Sequence, residues 1–238
     1  MNYSKTAFCL LFFSSLSAAA LAQNSPRQLL GDFEPGWNKY WMERKLTSQP
    51  TFYKVVSEDT NLVLRAESEK AASGIWRMLE IKPGKSGKIS WRWKIDNTLA
   101  INGTEKSKTS DDYAARVFVV FEPHFLSWKT KALCYVWASK EKAGSTFQSP
   151  YAESVGMIVL QSGDENEGKW VTEERDVIAD YRKIFDKDPE MITAVAIMVD
   201  TDNTGVHALS WFDDLTLDAG VNVNAADSTQ ATKDSSSN

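Results

Sequence analysis

Histidine and cysteine are nearly missing from this chain, with two of each in 238 residues. His124 and His207 stand far apart, with no cysteine beside either and no metal-ligand spacing, which leaves a zinc centre and a Ser-His-Asp triad without support. Cys9 falls in an N-terminal leader, so Cys134 is left with no partner for an internal disulfide. Its setting, Ala-Leu-Cys-Tyr-Val-Trp, is apolar and strand-like, the surroundings of a buried, unreactive thiol. Basic charge is not in excess either: 27 Lys and Arg against 32 Asp and Glu leave a formal charge of −5. That balance invites neither nucleic acid nor an anionic membrane surface. No phosphate loop and no dinucleotide fingerprint occurs. Beyond the leader, no apolar run approaches the roughly 18 to 20 residues that a membrane span needs.

The leader itself has a positive start at Lys5, an apolar run from Ala7 to Phe13 and an Ala20-Leu21-Ala22 cleavage site. This predicts a signal peptide over 1–22 and a periplasmic or secreted product. From Ala219 the chain is polar and almost free of large apolar residues, which predicts a disordered tail over 219–238. Between them, 23–218 shows no linker and no internal repeat, and its length suits one domain.

The domain is organised around Asp111-Asp112-Tyr113-Ala114-Ala115-Arg116 and the β-prone run Val117 to Phe121 that follows. A run of that makeup suits a central strand buried on both faces. Arg116 shares parity with Phe118 and Val120, so its guanidinium is drawn under the sheet and needs a carboxylate. Asp112 would lie about 13 Å away in an extended chain, which turns attention to Asp200 and Asp202 on a neighbouring strand. A structural ion-pair network and a ligand site both fit these residues. Ile89-Ser90-Trp91-Arg92-Trp93-Lys94-Ile95 alternates cleanly: the apolar residues share one face, and Ser90, Arg92 and Lys94 share a face that is wet or ligand-facing.

Further short strands are expected at 52–56, 62–66, 74–81, 131–138, 155–160, 192–199 and 208–217, with a long loop over 96–110. One helix is signalled by Val177, Tyr181, Ile184 and Phe185, capped by Asp176. Many short strands with a single helix predict an all-β, jelly-roll-type β-sandwich.

Nine tryptophans raise the prospect of sugar stacking. Trp91 and Trp93 have core parity, so Trp76, Tyr113 and Trp128 are the candidate platforms. Asp200-Thr201-Asp202-Asn203-Thr204-Gly205 opens like a calcium loop, but Trp211 stands where the bidentate glutamate belongs, and a hairpin turn explains the same residues. The acids at 111, 112, 200 and 202 could also supply the paired carboxylates of a glycosidase, about 5 to 9 Å apart.

Taken together, Trp91-Arg92-Trp93-Lys94, Asp111 to Arg116, Trp170, Arg175-Asp176-Val177, Asp180-Tyr181 and Asp200 to Thr204 resemble a bacterial secreted family, domain of unknown function 3047, over roughly Phe33 to Leu217. A looser likeness is to jelly-roll carbohydrate-binding modules, carried by Phe33-Glu34 near the start and Asp213-Asp214 in the last strand. That likeness implies a structural calcium held by Glu34, Asp213 and Asp214. The expectation is a noncatalytic ligand-binding protein for a glycan or another envelope component. Its site would be drawn from Trp76, Arg92, Lys94, Asp111, Asp112, Tyr113, Arg116, Asp200 and Asp202. The alternatives are a hydrolase using paired aspartates and an envelope scaffold; the sequence does not set the oligomeric state.

Overall fold

The computed structural model describes residues 27–122 and 130–220. The leader, Pro123, His124, Trp128 and the tail from 221 lie outside them. Among the described residues, short β-prone runs between polar turns form thirteen strands. These are β1 (Gln28–Gly31), β2 (Trp41–Lys45), β3 (Phe52–Glu58), β4 (Asn61–Glu69), β5 (Ala72–Ile81), β6 (Lys88–Ile95) and β7 (Tyr113–Phe121). They continue with β8 (Lys131–Ala138), β9 (Thr146–Gln148), β10 (Val155–Ser162), β11 (Val171–Asp176), β12 (Ile192–Asp200) and β13 (His207–Asp218). The helix α1 (Val177–Phe185) follows β11 directly. No helix among the described residues is long and apolar enough to cross a membrane.

The strands make two sheets, ordered β11-β6-β13-β4-β3 with β1 beside β13, and β2-β5-β12-β7-β8-β10-β9. Pairing is antiparallel except between β8 and β10. The result is a jelly-roll-type β-sandwich with one short helix. Period-two alternation dictates the packing. In β6, Ile89, Trp91, Trp93 and Ile95 are all buried. Trp91 meets Tyr135 of β8 at 5.3 Å between ring centroids, and Trp93 meets Trp137 at 5.9 Å, so aromatic contacts bridge the two sheets. Val117, Val119 and Phe121 of β7 complete this core from the centre of the seven-stranded sheet.

The helix spans from one sheet to the other and closes one end. The Asp176 carboxylate accepts from the backbone N–H groups of Ile178 (3.0 Å) and Ala179 (3.1 Å), capping the first turn. Val177, Ile178 and Tyr181 are buried, and the Tyr181 ring lies 4.6 Å from that of Phe121.

Candidate binding site

On β7 the residues between the core positions, Arg116, Phe118 and Val120, face the outer side of the seven-stranded sheet. That outer face divides in two. One end is roofed over: Tyr113, Cys134, Val136, Met157 and Val159 form a small apolar cluster there with Phe147 and Phe118 against it. Tyr113 joins this cluster because the β7–β12 register shifts between the Arg116–Met198 and Tyr113–Asp200 pairs, which turns it to the outer face. Its ring lies 4.3 Å from the Arg116 guanidinium carbon and is buried, so Tyr113 is not an open stacking platform.

Arg116, buried here, finds the carboxylate it needs at the end of β12. Its Nε donates to Asp200 Oδ1 at 2.8 Å, and Nη2 donates to Asp200 Oδ2 and to the Asp111 carbonyl. The Asp111 side chain is farther off, at 3.8 Å. Burial opposes the charge on Arg116, but Asp200 and then Asp111 outweigh it and hold the pKa well above its usual value. Burial pushes the Asp200 carboxyl up to about 7 against the pull of Arg116. Burial likewise raises Asp111 and, together with the neighbouring Asp112, Asp202. The Cys134 thiol is buried and also pushed up, mainly by desolvation.

Asp112 braces the turn that follows β12. Its Oδ1 accepts from the Asn203 backbone (3.3 Å) and side chain (2.9 Å), and its Oδ2 accepts from the backbone and hydroxyl of Thr204, both at 2.6 Å. Gly205, at φ +70, closes this turn with a hydrogen bond to the Thr201 carbonyl. Asp112, Asp200 and the exposed Asp202 can bring one oxygen each within 4.8 Å of one another. Yet both oxygens of Asp112 and of Asp200 already accept hydrogen bonds from the protein. The arrangement ties β7 to the β12–β13 connection, which crosses from one sheet to the other rather than closing a hairpin, and it commits both carboxylates mainly to protein donors.

Among the described residues, the other end of the same face is open. A groove of about 710 Å³ crosses β2, β5, β12, β7, β8 and β10, with Trp76, Phe118, Val120, Ala132 and Ala194 among its lining. Trp76 on β5 and Phe118 on β7 both pair with Ala196 of β12. Strands two apart are separated by about 9.6 Å, and the small alanine between lets the rings lean together to a stacked 6.3 Å. Gly74 gives the indole room, since a Cβ there would sit 3.2 Å from Trp76 Nε1. Met42 and Met78 stand at the rim, 58% and 45% exposed, and the Arg44 guanidinium lies 5.1 Å over the Trp76 ring.

Against known proteins, the model of one family, a protein of unknown function (DUF3047), matches residues 36–216. The chain belongs to that family. No curated protein matches it. Among solved structures the DUF3047 domain is similar to a family 11 carbohydrate-binding module of a cellulosomal cellulase from Clostridium thermocellum, at 13% identity and a TM-score of 0.44, over 84% of this chain and 98% of that one. It is similar also to the cellulose-induced protein Cip1, at 12% identity and a TM-score of 0.47, over 82% and 97%.

Of the remaining predicted residues of the DUF3047 domain, Arg92, Lys94, Asp213 and Asp214 lie on strands of the six-stranded sheet, and Glu34 lies in the loop after β1. Arg92 and Lys94 do face outward, but they are covered. Lys94 Nζ lies 4.4 Å from the Trp211 ring and 5.2 Å from that of Trp170, and it donates to Glu58. Arg92 lies 4.5 Å over Trp170, donates to Asp213 at 2.5 Å and pairs with Asp214 at 3.0 Å. The two aspartates proposed for calcium are therefore engaged by Arg92. Glu34 does not converge with them: among the described residues, Asp112, Asp200 and Asp202 are the only such acidic group. The residues at the chain termini do not fit that ion. Sequence reasoning reached Trp76 but missed Arg44, Met42, Met78, Phe118 and the alanines. Their one available signal was an outward-facing parity that stays apolar where a solvated face would be polar.

Proposed function

We propose that this chain is an exported, noncatalytic binding protein for a glycan or another envelope component, held in the groove on the seven-stranded sheet. The observation that carries the reading is the open aromatic floor of Trp76 and Phe118 on a sheet face that a solvated surface would make polar. Flat rings supply apolar area to the apolar faces of sugar rings, and a sheet holds them rigid. Paired-aspartate hydrolysis is the weaker reading, because Asp112 and Asp200 are hydrogen-bonded within the protein and neither lines the groove.

The test is affinity electrophoresis of the chain from Gln23 onward against a panel of envelope and plant polysaccharides. One polymer class should retard the protein. Trp76→Ala should weaken that binding by roughly tenfold or more, as loss of a central aromatic anchor does, while the melting temperature changes little. Migration unaltered by every polymer would remove the glycan reading.

A further inference from the structure

Resting on that glycan reading, we infer that the groove selects an acidic glycan, one whose sugar units carry carboxylates, and that Arg44 is the residue that reads them. Alternation along β2 separates the two charges that line the groove. Glu43 pairs with the core residue Ile75 and its carboxylate accepts from the Ser73 hydroxyl at 3.1 Å. Arg44 and Met42 take the opposite, outer face, where they pair with Gly74 and Trp76. The charge presented to the open floor is thus a lone guanidinium.

Its place and its partners together set it apart. Of the cations over rings, Lys94, Arg92, Arg116, Lys106 and Lys187 are neutralised by carboxylates. Arg77, Lys108 and Lys131 have no ion pair among the described residues, but none of them lines the groove that Arg44 lines. Arg44 is exposed and makes neither an ion pair nor a side-chain hydrogen bond among the described residues. What holds it is the face of Trp76. The planar N–H fork of Arg44 has no protein partner among the described residues, and such a fork matches a carboxylate in two parallel hydrogen bonds. An aromatic floor for sugar rings beside an unpaired planar cation is the pairing that a carboxylated pyranose requires. The net charge of −5 does not forbid an anionic polymer, because charges beyond about 8 Å are largely screened at physiological salt.

The experiment titrates the chain with polygalacturonate and alginate, with the same polymers after reduction of their carboxyls to alcohols, and with a glycerol-phosphate polymer. An acidic polymer should bind roughly tenfold or more tightly than its reduced form, the size expected of a charge-assisted bidentate contact. Arg44→Gln should abolish that difference without moving the melting temperature, and Arg44→Lys should restore only part of it, being a point charge without the fork. Equal binding of acidic and reduced forms, or binding of neutral panel polymers alone, overturns the acid preference and leaves the glycan reading standing. Acid-selective binding that Arg44→Gln does not alter overturns the role of Arg44. Binding of the phosphate polymer alone overturns the carboxylate assignment. Failure of every polymer, acidic and neutral, overturns the glycan reading and this inference with it.

Discussion

The two outer faces of the sandwich use the same ingredients to opposite ends. On the six-stranded sheet, Trp170 and Trp211 lie over Arg92 and Lys94, and each cation has a carboxylate. The Lys94 side chain is only 13% exposed, and its partner Glu58 is 27% exposed. On the seven-stranded sheet, Trp76 carries Arg44 with no carboxylate among the described residues and lines a groove. A charged, alternating strand face such as that of β6 can therefore be complete in itself. An apolar outward face with an unpaired cation is the one left waiting for a partner.

The largest effect should come from the roofed end of the seven-stranded face. Arg116→Ala would leave Asp200 buried without its counter-charge, and breaking a buried pair from one side costs about 3 to 5 kcal/mol. Thermal unfolding should show a drop of many degrees, and a variant that melts like the wild type would mean that the Arg116–Asp200 pair does not clamp this end of the sheet. A smaller loss, roughly 1 to 2 kcal/mol, is expected for Trp211→Ala, which removes part of the cover over Lys94 and its cation–π contact. Glycan binding should be untouched by that change. The contrast with Trp76→Ala is the point: one tryptophan should cost stability and the other affinity, and if both cost affinity the six-stranded face belongs to the site as well.

Much of this division was legible in the chain, for identifiable reasons. The strict alternation of β6 placed Trp91 and Trp93 inside, and the burial of Arg116 followed from its parity with Phe118 and Val120, with Asp200 and Asp202 as the available acids, of which Asp200 makes the pair. The capped helix was signalled by Asp176 and the spacing of Val177, Tyr181, Ile184 and Phe185. What stayed hidden was hidden physically. β11 alternates Val171, Glu173 and Arg175 on its inward side, and so polar an edge strand carries no hydrophobic period to read. β7 is apolar on both faces, so its residues do not reveal which parity meets the core and which floors a groove. The register shift that turns Tyr113 outward depends on pairing with β12, which no local pattern encodes. Arg92 and Lys94 look open in sequence because their covers, Trp170 and Trp211, come from just before β11 and from β13, far along the chain.

The smallest effect tests whether the acidic end of the seven-stranded face is also complete in itself. Calcium takes six to eight oxygen ligands, whereas both oxygens of Asp112 and of Asp200 are already held by protein donors and only Asp202 is exposed. Chelation with EDTA should therefore leave the melting curve where it was. A fall in melting temperature on chelation, recovered by added calcium through the linkage of binding to stability, would identify Asp112, Asp200 and Asp202 as a metal group. Asp202→Asn would then be the decisive variant: it stands outside the Arg116 and Asp112 hydrogen bonds, so it should erase the calcium response while leaving the metal-free protein as stable as before. If the response survived that substitution, the ion would have to sit elsewhere, and the balance of charge around Arg116 would stand as drawn.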